Sequence, residues 1–288
     1  MARPDGAPVL RWRCRVLVCS LILAFGCTGV LQSIGARWAT RKISEVFHLD
    51  EAQQEATRAS VERVMASAPE VLGSRVDLLV ATVDRALSRG LNEKNMLIIE
   101  RQIDVLLDRT ASWIIDEAAP ILATLRDEQI DFAQAQLELR LQATREELDK
   151  PDAERIVDRQ EKFLKAIEQW TGRLSDAQVA AIRAHVAAMP DEAGAGLRAD
   201  ERRLADFADG LREHPGAAAI RDLLWEAWTK REDWGPNTRS ADQRRADGRK
   251  TLFFVYGLLD AEQKDHMSEH LHEVHEKVSR FLGMGGAG

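Results

Sequence analysis

The chain has 288 residues, 45% of them hydrophobic and 30% charged, with a net charge of −7. That is apolar material for one large helical domain or two small ones. The first 26 residues carry four Arg against one Asp, a +3 segment, so the remainder stands at −10. This acidic body argues against nucleic-acid binding and against an electrostatic hold on an anionic bilayer. Strand signals are scarce, with one Tyr and no sustained alternation, while the strong helix formers Ala, Leu, Glu, Arg and Gln dominate. An all-α, multi-helix bundle of about ten helices is predicted, after a signal peptide and a short tether.

In chain order, residues 1–15 are basic and Val16 to Ala24 form an apolar run too short to span a bilayer. Phe25, Gly26 and Cys27 follow. A positive stretch, a short apolar stretch and small residues before a cut describe a signal peptide over residues 1–26. All three cysteines lie within the first 27 residues, so a cut before Cys27 leaves one thiol, at the first position, with no intramolecular disulfide to form. Residues 27–44 read as a tether, 45–282 as the helical domain and 283–288 as a disordered tail.

Within the domain, Leu72, Val76, Leu79, Val83 and Leu87 form one apolar stripe at helical spacing, and Ile99, Ile103, Leu106, Thr110 and Trp113 another. Pro120 is expected to start a new segment. Lys150-Pro151-Asp152 reads as a turn, Pro190 to Gly196 as a loop and His214-Pro215-Gly216 as a break. Residues 233–241 are a polar linker with Gly235-Pro236 and a candidate sub-boundary.

A phrase recurs, Leu then three residues then Gln, at Leu49–Gln53, Leu125–Gln129, Leu174–Gln178 and Leu259–Gln263, with a degenerate copy at Leu91–Asn95. It reads as a helix start. Asp50, Asn92, Ser175 and Asp260 are N-caps, and the Gln three residues on reaches back to the cap. Arg126 is a poor cap in the second copy. Gly172 fits a helix C-cap, Trp170 a core aromatic on the last turn before it, and Leu174 the entry of the helix capped by Ser175 with Gln178.

Ala24-Phe25-Gly26-Cys27 resembles the lipobox of bacterial lipoproteins. The resemblance implies acyl chains on Cys27, and Thr28 in place of Asp directs the anchor to the periplasmic face of the outer membrane. The Leu-x-x-x-Gln phrases resemble those of the spheroplast-protein-Y type of periplasmic chaperones, which are all-α and bind unfolded clients. The string Glu168-Gln169-Trp170-Thr171-Gly172-Arg173-Leu174-Ser175-Asp176-Ala177-Gln178, with Arg155 and Arg159 upstream, is similar to the central motif of a family of Gram-negative lipoproteins of unknown function. That family's Trp-His-Arg cluster in the second helix is missing from Met65 to Arg75 here.

Three constellations bear on chemistry. The last helix carries His266, His270, His272 and His275 among Glu269, Glu273 and Glu276, residue types at spacings that bind Zn, Ni or Cu. Glu45-x-x-His48 and Glu269-x-x-His272 match the string of di-iron bundles, but His48 falls outside regular helix, before the Asp50 cap. Trp225, Trp228 and Trp234 form an aromatic cluster suited to a protein client or peptide. No nucleophile motif and no Gly-rich phosphate loop is present. The expectation is a non-enzymatic lipoprotein held to the membrane by Cys27, needing no cofactor, that serves as a helical interaction or chaperone-like module. The alternative is a metal binder using the C-terminal helix.

Overall fold

A computed structural model describes residues 30–236 and 238–284, with side chains from Ala36 onward. Cys27 and the signal segment lie outside the described residues. Among the described residues there are ten α-helices and no strands. They are α1 Val30–Phe47, α2 Glu51–Arg89, α3 Glu93–Leu122, α4 Asp127–Leu148, α5 Asp152–Thr171, α6 Asp176–Ala188, α7 Ala193–Arg212, α8 Gly216–Thr229, α9 Ala241–Leu258 and α10 Ala261–Phe281.

The helix starts follow the sequence phrases. Asp50, Asn92, Ser175 and Asp260 accept from the backbone N–H three residues on, and Gln53, Asn95, Gln178 and Gln263 reach back to the cap N–H. A fifth box, Ser240 with Gln243, opens α9 without the preceding Leu. Arg126 makes half a box: its N–H donates to Gln129 Oε1 at 3.1 Å, but its side chain supplies no acceptor.

α2 and α3 form an antiparallel hairpin about 45–60 Å long, at 1.5 Å per residue, against which α1, α8 and α10 pack. α3 also packs on α8, α2 on α1 and α10, α4 on α1 and α7, and α5 on α6 and α10. The core is four clusters. Leu49, Ala119, Leu125, Ile130, Ala208, Leu211 and Ile220 join α3, α4, α7 and α8. Leu164, Leu174, Ile182, Val186 and Leu259 join α5 and α6 to the α9–α10 turn. The predicted stripe of α2 divides between the other two, with Leu72 and Val76 against α10, and Leu79 and Val83 near Leu252 and Phe253 of α9.

Several expectations are corrected. Residues 30–47, most of which were expected as tether, form α1, because Ile43 and Phe47 pack on the Leu49 cluster. Pro120 sits inside α3. Only two helical residues follow it, and the bond its missing N–H would make, to Asp116, lies on an exposed side. The loop expected through Gly196 ends at Glu192, since Asp191 Oδ1 accepts from Ala193 N–H at 3.0 Å and starts α7 early.

The linker over 233–241 is strapped to α7. Arg202 and Arg203 donate to the carbonyls of Trp234 and Asp233, and Arg239 makes a two-armed pair with Glu192. Met284, placed in the expected tail, lies over Gly73 and packs on the Ala68, Leu72, Val278 and Leu282 cluster.

Candidate functional site

The four full Leu-x-x-x-Gln phrases meet in pairs. Gln53 Nε2 donates to Gln129 Oε1 at 3.2 Å, and Gln129 Nε2 donates back at 2.6 Å. Gln53 also donates to the carbonyl of Thr124, and Gln129 to that of His48. The second pair repeats this: Gln178 and Gln263 exchange bonds of 2.7 and 3.1 Å, Gln178 donating to Leu258 O and Gln263 to Arg173 O. In all four cases the carbonyl belongs to the residue just before the partner's Leu. Each corner is thus locally two-fold, and both are saturated structural joints with no capacity left for a ligand.

At the second corner Gly172 caps α5 with φ of 72° and donates its N–H to Glu168 O. Leu174 is buried. Trp170 is 38% exposed and lies edge-on to His270, with ring centroids 4.8 Å apart, so it is no core residue. α5 ends there, and its last turn faces α10 rather than the Leu164 cluster. Arg155 pairs with Asp191, and Arg159 donates to the carbonyls of Val186 and Met189 at the end of α6.

The imidazoles of α10 do not converge. His266 and His270 turn to Gly172 and Trp170 of α5. His272 and His275 turn to α2, His272 Nε2 at 3.2 Å from Asp84 and His275 Nε2 at 2.7 Å from Asp77. Glu269 and Glu276 stay exposed. Among the described residues no group of three or more His, Cys, Asp or Glu is arranged to hold a metal ion. His48, at φ of 48°, lies outside helix against Phe132, so the second Glu-x-x-His string has no helical partner.

The tryptophans also separate. Trp228 Nε1 donates to Asp108 at 2.8 Å with the Arg231 guanidinium 4.0 Å over its ring, and Arg244 covers Trp234 at 3.9 Å. Only Trp225 of the three is exposed.

A different surface stands out, the outer face of the α2–α3 hairpin. On α2, Arg75, Leu78, Thr82, Arg85 and Arg89 recur at three- and four-residue spacing, and on α3 so do Lys94, Ile98, Arg101, Val105 and Arg109. Leu78 is 52% exposed, Ile98 44% and Val105 42%. With Arg75, Arg101 and Gln102 they line an open, mainly apolar groove of about 340 Å³. The amide oxygen of Gln102 is buried there without a hydrogen-bond partner.

Every carboxylate between residues 71 and 112 is engaged elsewhere. Asp77 and Asp84 face α10. Glu93 and Glu100 meet Arg249, and Asp104 meets Arg245. Asp108 accepts from Trp228. Arg75, Arg89, Lys94 and Arg101 therefore have no carboxylate partner among the described residues, and Arg85 and Arg109 bond only to backbone carbonyls. A cationic strip lies on an acidic molecule.

A second hollow of about 450 Å³ opens between α1 and α2 around Arg37, Arg41 and Arg58, but there Glu45 pairs with Arg41, and Glu55 with Arg58. The hairpin face was missed in the sequence because a charged outer stripe looks like an ordinary solvated one. The usable signal was that its cations share one face while the carboxylates fall on others.

The molecule is thus an all-α protein with two glutamine-paired corners and a cationic, partly apolar outer face on its longest hairpin. Residues 48–239 match the model of a family of unknown function, DUF6279, and the chain belongs to that family. No curated protein and no solved structure matches the chain. Among the described residues no helix is long and apolar enough to cross a membrane.

Proposed function

We propose that the protein is a lipid-anchored periplasmic binding module, without catalytic activity, that holds segments of other proteins on the outer face of α2 and α3. The anchor reading rests on the basic and apolar leader ending in Ala24-Phe25-Gly26-Cys27. The binding reading rests on one observation, the open groove of Leu78, Ile98 and Val105 edged by the unpaired Arg75 and Arg101. Three large apolar side chains left in water beside one another mark a contact surface more than a resting one. The groove offers guanidinium groups and hydrocarbon rather than a base beside a nucleophile, which suits recognition and not bond-breaking.

The test uses the intact chain carrying Cys27→Ser, added to a denaturing model client at near-stoichiometric ratio. Suppressed aggregation is expected, weakened several-fold by Leu78→Asp with Ile98→Asp. Suppression that these substitutions leave untouched removes the assignment to this face, and no suppression removes the chaperone-like form of the reading. The anchor is read separately. Labelling with radioactive palmitate is expected on the unaltered chain and absent from Cys27→Ser, and an unlabelled chain refutes it.

A further inference from the structure

We infer that the occupant of the α2–α3 face is an acidic, amphipathic helix of a partner protein, a step that rests on the binding-module reading above. The argument is charge complementarity joined to shape. Between residues 71 and 112 the hairpin has segregated its charges: the carboxylates there face α8, α9 and α10, and Arg75, Arg89, Lys94 and Arg101 are exposed without a carboxylate partner among the described residues. On a body of net −10 this strip presents cations without carboxylate partners, which attract anionic partners.

The apolar residues line an open hollow between two helices. A groove of this kind admits the projecting side chains of a third helix laid along the hairpin. Ile98 and Val105 stand seven residues apart, two helical turns or about 10 Å, the spacing of the i and i+7 anchors on a partner helix. Carboxylates flanking that stripe reach Arg75 on one wall and Arg101 on the other, and guanidinium groups suit carboxylates through two-armed hydrogen bonds. A bilayer surface fits less well, since the groove is concave and the rest of the molecule is repelled by anionic lipid.

The probe is a fluorescein-labelled helical peptide of 20 residues with Leu on one stripe and Glu flanking it, compared with the same peptide carrying Lys for Glu. Anisotropy is followed with the intact Cys27→Ser chain. The Glu peptide is expected to bind, more weakly as salt rises, and about tenfold more weakly to Arg75→Glu with Arg101→Glu. The Lys peptide is expected not to bind. Both arginines are exposed, so the double variant keeps its helicity, which circular dichroism checks.

Equal binding of the two peptides overturns the proposal, because the face then reads only apolarity. Binding of anionic phosphatidylglycerol vesicles without the Glu peptide overturns it in favour of lipid. Concentration-dependent self-association blocked by the same double variant, without peptide binding, overturns it in favour of a second copy. Peptide failure with client suppression intact sinks this inference alone, and failure of both sinks the binding-module reading as well.

Discussion

Gln129, Gln178 and Gln263 each make four hydrogen bonds, two through the amide oxygen and two through the amide nitrogen, and Gln53 adds a fifth to Thr124 Oγ1. Gln263 shows the set: it accepts from Asp260 N–H and Gln178 Nε2 and donates to Arg173 O and Gln178 Oε1. Removing it strands Arg173 O and half of Gln178 in a partly buried setting, where a group left unpaired costs up to roughly 1–3 kcal/mol. Gln263→Leu is expected to lower unfolding free energy by about 2–3 kcal/mol. Gln178→Leu combined with Gln263→Leu is expected to cost at least 1 kcal/mol less than about the sum of the two, because the partners share two bonds. Urea titrations followed by circular dichroism decide it, and strictly additive costs would show that the amides act only as separate caps. The capping half of this arrangement was legible in the sequence, since a cap and a Gln three residues later are local. The pairing was not: it joins residues 76 and 85 positions apart, and no periodicity encodes that.

At the scale of elements, the caps fixed helix starts well, and errors fell where a side chain overrode composition. Asp191 turned a Gly-Ala loop into the first turn of α7, and Ile43 and Phe47 recruited a tether into α1. The segment after α8 looked like a linker because it holds Gly235, Pro236 and many charges. It is instead tied to α7 by Arg239 on Glu192, whose side chain is only 17% exposed. Arg239 also meets Asp247 of α9. Arg239→Gln leaves the mostly covered Glu192 without its ion-pair partner, at a cost of about 1–2 kcal/mol, most of it local to this strap. Trypsin cleavage after Lys230 or Arg231 is expected to quicken about tenfold while the urea midpoint shifts little. An unchanged cleavage pattern would mean that the strap is held by Trp234 beneath Arg244 and not by the ion pair.

For the whole molecule, carboxylates paired across its surface set how stability varies with pH. Many carboxylates are held below their ordinary range: Asp50 by the hydrogen bond from Arg126 and the Gln53 N–H, Glu117 by Arg63, Asp158 by Lys150 and Asp247 by Lys250. Burial pushes the Asp191 carboxyl up, but the Ala193 N–H and Arg155 outweigh it and hold it low. A carboxylate depressed in the folded state contributes stability above its unfolded value, near 4, and that contribution is lost as pH falls through the folded value. The urea midpoint is therefore expected to hold from pH 7 to about 5 and to fall steadily below about 4. Since most of these groups are exposed, 1 M salt should flatten the acid limb, the Debye length then being about 3 Å. Asp50→Asn, which keeps the capping oxygen and removes the charge, should flatten it further without abolishing the first corner. A midpoint that stays level to pH 3, or rises, would show that the ion pairs holding these carboxylates low contribute nothing to folding.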